Sequence, residues 1–230
     1  MPTAFSIIIP AFNEARTIGK AIRETKRIFD DLDASYEILV VDDGSSDTTA
    51  SLVKTLARSI PQVRLIQHAK NQGKGAAVKT GILEAHGTWA LFLDADLATH
   101  PSQFRKLLPY LEKDDVVIGS RRVSGSRIAE QQPFYRVWAG RLFNLIIRWY
   151  LGIRFQDTQC GFKAFHRRTF SLFKSLNSKG WTFDVELLLR AQEKGFTIQE
   201  VPVTWRHGRE TRVRLSDAWI IFRELHQMKR

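Results

Sequence analysis

Trp89-Ala-Leu-Phe-Leu-Asp-Ala-Asp-Leu-Ala-Thr99 decides how the chain is read. Trp89 to Leu93 is an unbroken apolar run, so it reads as a strand buried on both faces. It stops at two carboxylates, Asp94 and Asp96, separated by the small residue Ala95. Side chains alternate along a strand, so positions i and i+2 point the same way. Two hard oxygen ligands emerging together at a strand end suit a divalent cation holding a diphosphate. For an isolated pair of this kind, turn-forming aspartates capping a strand are the better reading. The neighbouring segments separate the two.

Working back towards the N-terminus, Phe5 to Ile9 reads as a strand ended by Pro10, and Glu14 to Phe29 has helical spacing of its apolar residues. Tyr36 to Val41 is a second buried strand. It runs into the turn cluster Asp42-Asp-Gly-Ser-Ser-Asp47, whose last residue is placed to cap a helix from Thr48 to Ser59. Val63 to Gln67 is a third strand, and the glycine-hinged loop Asn71 to Gly75 leads into a helix over Ala76 to Ala85. Forward of the central stretch come a helix from Pro101 to Leu111, with proline in its first turn, and a strand from Asp115 to Gly119. Strands alternating with helices predict an α/β fold, a Rossmann-like, mostly parallel sheet flanked by helices. Ligands of such sheets sit beyond the carboxyl ends of the strands. The polar clusters after Ile9, Val41, Leu93 and Ile118 all fall there.

Beyond Ser120 the pattern changes. Ser120 to Arg127 is a basic loop. Phe134 to Leu151 is helical and aromatic, with Arg136, Arg141, Asn144 and Arg148 gathered within an arc of about 140°. An interfacial helix on a membrane and a core helix with a solvated arginine face both fit that pattern. Asp157 to His166 reads as a turn and a strand, Phe183 to Leu189 opens a helix, and Ile198 to Trp205 is a last strand. Trp219 to Arg230 is a short basic amphipathic helix.

Composition bounds the function. Lys and Arg number 35 against 24 Asp and Glu, a net +11 that calls for an anionic partner: nucleotide phosphates, nucleic acid or an anionic membrane. A single cysteine, Cys160, excludes an internal disulfide and fits a reducing compartment. Neither a secretory signal nor an uncharged membrane-length span is visible, so a cytoplasmic protein with at most peripheral membrane contact is expected.

In this order, Ile9-Pro-Ala-Phe-Asn-Glu14, Val40-Val-Asp-Asp-Gly-Ser-Ser-Asp47, Asn71-Gln-Gly-Lys-Gly75 and Asp94-Ala-Asp96 resemble inverting glycosyltransferase family 2, which has a GT-A fold. Gly119-Ser-Arg121, Arg136 followed by Asn144, Asp157-Thr-Gln-Cys-Gly-Phe-Lys163, Trp181-x-Phe183-Asp-Val-Glu186 and Thr211-Arg-Val-Arg214 resemble its polyprenyl-phosphate hexosyltransferases, nearer the dolichyl-phosphate glucosyl than the mannosyl enzymes.

The resemblance implies a division of labour. Asp94 and Asp96 hold Mg²⁺ or Mn²⁺, while Ala98 stands where mannosyl members often carry a further glutamine ligand. Pro10, Phe12, Glu14, Val41 and Asp43 match the nucleobase and ribose pocket, with Asp43 able to accept from a base N–H. Lys74, Ala95 and Arg212 are further donor-site positions, Arg212 standing where relatives have lysine in a closing loop. Arg121 and Arg136 match acceptor-phosphate arginines. Asp157 and Asp184 match carboxylates near the sugar, with a structural turn an equal reading for Asp157.

The implied reaction carries glucose from UDP-glucose, or mannose from GDP-mannose, onto a polyprenyl phosphate at the cytoplasmic face of an anionic membrane. The implied division is a catalytic domain over 1–215, with a nucleotide-sugar half at 1–119 and an acceptor half at 120–215, followed by a membrane-facing helix at 216–230. Two other classes fit less well. A nucleotidyltransferase carries a glycine-rich loop after its first strand, where this chain has Pro10 to Glu14. A nucleic-acid-binding protein would explain the charge, yet no recognition motif is present.

Overall fold

The computed structural model describes residues 3–129, 145, 148–178, 180, 182–206, 224 and 228. Seven strands form the main sheet: β1 (Phe5–Ala11), β2 (Tyr36–Asp42), β3 (Val63–Gln67), β4 (Trp89–Leu93), β5 (Val116–Ser120), β7 (Phe162–His166) and β8 (Ile198–Pro202). A two-residue strand, β6 (Arg127–Ile128), pairs with β9 (Thr204–Trp205) in a small second sheet. The main order is β3-β2-β1-β4-β7-β5-β8. Every strand in it is parallel to its neighbours except β7, which runs antiparallel between β4 and β5. The α-helices with both ends among the described residues are α1 (Ile18–Asp30), α2 (Thr49–Ser59), α3 (Lys74–Leu83), α4 (Ser171–Lys174) and α5 (Phe183–Glu193). The expected mostly parallel α/β sheet is therefore present.

The unbroken apolar runs arise because both faces of the sheet are covered. Ile7, Ile9, Ile38, Val40, Leu91 and Leu93 pack with Ile18, Ile22 and Phe29 of α1. Their alternate neighbours Ile8, Leu39, Val41, Ala90 and Phe92 pack on the other face with Val78 and Ile82 of α3 and Leu187 and Leu188 of α5. Each such buried aliphatic side chain contributes about 1.5–3 kcal/mol. Gly81 lets α3 lie close to the sheet: a Cβ there would sit 2.5 Å from a methyl of Ile8.

Four elements depart from expectation. β1 does not stop at Pro10 but continues to Ala11, with Pro10 in register with Val41. α1 starts at Ile18 rather than Glu14: a turn precedes it, in which the Thr17 and Ile18 N–H groups both donate to the Glu14 carbonyl, and the N–H groups of Asn13, Glu14 and Ala15 donate to Ser45, Thr49 and Asp47. Instead of one helix over Pro101 to Leu111 there are two 3-10 turns, Pro101–Lys106 and Leu108–Tyr110. Pro109 has no N–H to extend an α-helical ladder. The last strand is split at Pro202–Val203, its second part leaving the main sheet for β6. Asp47 does support the start of α2, accepting from the Thr49 N–H at 2.9 Å.

The aromatic helix is described only at Leu145 and from Arg148 onward, where it is helical. Leu151 and Ile153 pack against Val185 and Leu189 of α5, while Trp149 is 84% exposed. The basic C-terminal helix lies outside the described residues apart from Glu224 and Met228, as do Arg136, Asn144 and Arg212. No described helix is long and apolar enough to cross a membrane.

Candidate active site

Parallel strands bring the ends of β1, β2, β4 and β5 to one edge of the sheet, and the expected polar clusters line it. Asp94 and Asp96 are not in strand geometry. The strand ends at Leu93, and Asp94 to Leu97 forms a tight turn in which the Leu97 N–H donates to the Asp94 carbonyl at 3.1 Å. Leu97 takes the left-handed conformation, φ 57°, and the Ala98 N–H donates to Asp96 Oδ1 at 2.9 Å. The two carboxylates are thus neighbours because of a turn, not because of the pleat. Ala95 between them packs into the core. Ala98 is buried, and its carbonyl accepts from the Arg206 N–H at 2.8 Å, so it offers no side-chain ligand.

Lys74, the first residue of α3, places its ammonium 2.5 Å from Asp94 Oδ1. Burial acts to lower the lysine's pKa, but the charges of Asp94, Asp184 and Asp96 outweigh it and hold the pKa above the ordinary value. Asp96 reaches solvent, yet the protein around its carboxyl desolvates it; with the Asp94 charge beside it and Glu14 nearby, its pKa is raised. Glu14 itself accepts from the Thr17 hydroxyl at 2.6 Å.

Behind this cluster lies a buried pair that the residue pattern does not announce. Lys163 Nζ sits 2.6 Å from Asp184 Oδ1, donates to the Cys160 carbonyl and lies 5.2 Å from the centre of the Phe92 ring. Burial raises the Asp184 pKa, against the opposing pull of Lys163 and Lys74. A lysine within the strand Phe-Lys-Ala-Phe was the available signal. Gly161 also escapes sequence reasoning: a Cβ there would meet Asp94 Oδ2 at 2.0 Å, so the carboxylate occupies space that only glycine leaves open.

Arg121 is locked in place. Its Nε and Nη2 fork onto Asp157 at 2.7 and 2.8 Å, its backbone N–H donates to the same carboxylate, and its guanidinium stacks 5.4 Å from the Trp205 ring centre. Asp157 is 1% exposed; burial opposes its ionisation, but Arg121 more than compensates and the pKa is lowered. Arg121 in turn feels the charge of Asp94. Asp157 therefore serves as the anchor of Arg121.

Asp43 is engaged elsewhere. It accepts from the Gln72 and Gly73 N–H groups at 2.9 and 2.8 Å and contacts His68 Nδ1 at 2.7 Å, pinning the loop that carries Lys74. Asp42 accepts from the Ser45 N–H and the Gln67 amide, as a structural turn residue does. Pro10 and Val41 are adjacent across β1 and β2, and Phe12 is half-buried at the same edge. Asn13, with φ 55°, staples the two loops by accepting from the Ser46 N–H.

This arrangement of loops around an acidic turn has counterparts. The model of "Glycosyl transferase family 2" matches residues 6–173. The chain belongs to that family. It is 36% identical over 236 residues to a dolichyl-phosphate beta-glucosyltransferase of Trichomonas vaginalis, covering 94% of this chain and 69% of that protein. A dolichyl-phosphate beta-glucosyltransferase of Dictyostelium discoideum is 36% identical over 214 residues, with 87% and 65% covered. The chain thus spans about two thirds of the length of these relatives. Among solved structures, glucosyl-3-phosphoglycerate synthase of Mycobacterium tuberculosis, in complex with Mn²⁺, UDP-glucose and phosphoglyceric acid, superposes with a TM-score of 0.71 at 21% identity, covering 99% of this chain and 78% of that one. That likeness confirms the GT-A architecture of this family 2 member, whose class of chemistry is glycosyl transfer.

Proposed function

We propose that this family 2 glycosyltransferase moves glucose from UDP-glucose onto a polyprenyl phosphate such as dolichyl phosphate, with inversion, at the cytoplasmic face of a membrane to which it binds peripherally. The observation that carries the reading is the placement of Lys74, Asp94 and Asp96 on one side of the sheet mouth and an anchored Arg121 beside them. Relatives named for dolichyl-phosphate glucosylation support the choice of sugar and acceptor.

The donor set fits a hard divalent cation. Asp94 and Asp96 supply carboxylate oxygens, and among the described residues no cluster of three or more His, Cys, Asp or Glu forms a closed cage. Mg²⁺ is commonly held in this way, by one or two carboxylates plus substrate phosphates and water. Bound there, Mg²⁺ or Mn²⁺ would neutralise charge on the departing diphosphate. Lys74 would add a second positive charge on the same side.

A phosphate monoester is largely ionised at neutral pH, its second pKa lying near about 6, so its oxygen needs orientation more than deprotonation. Arg121 is suited to this. The Asp157 fork uses Nε and Nη2 and holds the guanidinium plane still, with Nη1 outside the fork. Arg136 would be the second acceptor arginine, and Arg212 would close on the donor. Asp184, paired with Lys163 and near enough to Lys74 to act on its charge, would lie on the sugar side. Pro10, Phe12, Glu14 and Val41 would form the floor for the nucleoside, with Asp43 bracing the loop that carries Lys74.

The decisive experiment incubates the protein and a prenyl phosphate with UDP-glucose or GDP-mannose, with and without Mg²⁺, and follows lipid-linked sugar. Glucosyl lipid formed only with metal and lost in D94N and D96N supports the proposal. Transfer from GDP-mannose alone would reassign the sugar, and UDP release without lipid product would refute the acceptor. Peripheral binding is supported by the charge of +11 and the exposed Trp149 and Leu145. Flotation with anionic liposomes should be lost at high salt; no flotation at low salt would refute it.

A further inference from the structure

Lys74 stands where an incoming metal needs its ligand. Its ammonium pairs with Asp94 Oδ1 at 2.5 Å and feels Asp96 and Asp184 as well. The pair is not a loose surface contact: the side chains are 20% and 30% exposed, and Lys74 Nζ lies 6.0 Å from the centre of the Phe92 ring. Its backbone is tethered too. Gly73, with φ 98°, donates its N–H to Asp43, which His68 holds from the other side. The lysine is therefore presented to Asp94 by a braced loop, and a second cation on that carboxylate meets both a filled oxygen and a like charge.

Counting formal charges shows how the conflict is resolved. Two carboxylates, Asp94 and Asp96, against one ammonium leave a single negative charge. A bare divalent cation would turn this positive, beside Arg121. The same cation carrying the doubly negative diphosphate of a nucleotide sugar leaves the sum unchanged and gives the displaced ammonium new anionic oxygens.

We propose that Lys74 is a resident counter-cation, which occupies Asp94 in the donor-free enzyme and yields it only to a metal arriving with a nucleotide diphosphate. Metal and donor then bind as one chelate instead of metal first. This rests on the metal site proposed above, and the test separates the two. Mn²⁺ binding is measured from the electron paramagnetic resonance signal of the free ion for wild type, K74M, K74R and D94N, each with and without UDP.

The wild type binds Mn²⁺ weakly alone and more tightly with UDP. K74M binds Mn²⁺ alone about tenfold more tightly than wild type, a coupling of ordinary size between neighbouring sites, and loses most of the enhancement by UDP. K74R behaves as wild type. K74Q repeats the measurement should K74M not fold. Mn²⁺ affinity in K74M or K74Q no greater than wild type overturns the counter-cation role. If D94N abolishes Mn²⁺ binding while these variants leave it unchanged, the metal site stands and the role of Lys74 falls. Unaltered Mn²⁺ binding in D94N overturns both.

Discussion

Replacing Gly161 by alanine isolates the Asp94 carboxylate from everything else that holds the fold together. A Cβ at this position would lie 2.0 Å from Asp94 Oδ2, 2.5 Å from its Cγ and 2.8 Å from Oδ1. Real Cβ atoms do not approach below 3.0 Å, so the carboxylate has to withdraw by about the difference, close to 1 Å. The obstacle is the end of a side chain that can rotate, and Gly161 is not in the left-handed region, so the backbone has no reason to move. Rotation breaks the contact with Lys74, a partly exposed pair worth at most about 1 kcal/mol. Removing a glycine from the unfolded chain returns roughly 0.4–1 kcal/mol. Stability should therefore change by less than about 1 kcal/mol in urea denaturation. Function should not survive so well, since a misplacement of about 1 Å in a reacting constellation costs on the order of a hundredfold in rate. The assay pairs urea denaturation with glucosyl transfer and with Mn²⁺ binding in the presence of UDP. Transfer within threefold of wild type at matched stability would refute the placement of Asp94 against this glycine. So would a loss of activity that merely tracks unfolding.

Three further outcomes follow from the buried charges. K163M leaves Asp184 as an unpaired carboxylate in a site where the two side chains are 0% and 5% exposed, and should cost about 3–5 kcal/mol; K163M/D184N should recover part of it, and equal losses in the single and double variants would argue against the pair. D157N frees Arg121 from its anchor. Because Arg121 depresses the Asp157 pKa, the stabilisation is fully present above the unfolded value of about 3.9 and is lost as pH falls through the lower folded value. The stability gap between wild type and D157N should thus be constant above about pH 5 and shrink under more acid conditions; a gap that stays constant into acid would contradict the ion pair. Burial pushes the Cys160 thiol up to about 11, so iodoacetamide at pH 8 should leave it unmodified in the native protein and alkylate it in denaturant; rapid native labelling would place it at the surface.

The fold was legible where local and global preferences agree. Strands covered on both faces need apolar side chains at successive positions, and the runs at Ile7 to Ile9, Leu39 to Val41 and Trp89 to Leu93 say so directly. Some features escaped because their partners lie far along the chain. Nothing near Glu14 reveals that its N–H is taken by Thr49, and nothing near Asp43 reveals that Gln72 and Gly73 claim its oxygens. The break at Pro109 was locally visible, but the helix-starting proline at Pro101 suggested a single element. In the acidic turn strand pleating does not set the two carboxylates, since Asp94 to Leu97 forms a tight turn.

What the residue order could not convey is the insertion of β7. An uninterrupted parallel sheet sets β4 beside β5 and leaves Asp157 to His166 without a place. In the structure β7 enters between them in the opposite direction, pairing Leu93 with Phe162 and Ile118 with Lys163. That single insertion puts Gly161 under Asp94, Lys163 against Asp184 and Asp157 onto Arg121. Charges that lie beyond Ser120 in the sequence are thereby brought within reach of the acidic turn after β4. The parallel strands supply the acidic turn and the antiparallel strand supplies the groups that face it, so under the proposed roles of Asp94 and Arg121 a mutation in the turn before β7 should weaken donor and acceptor binding together, as read from UDP and prenyl-phosphate affinities.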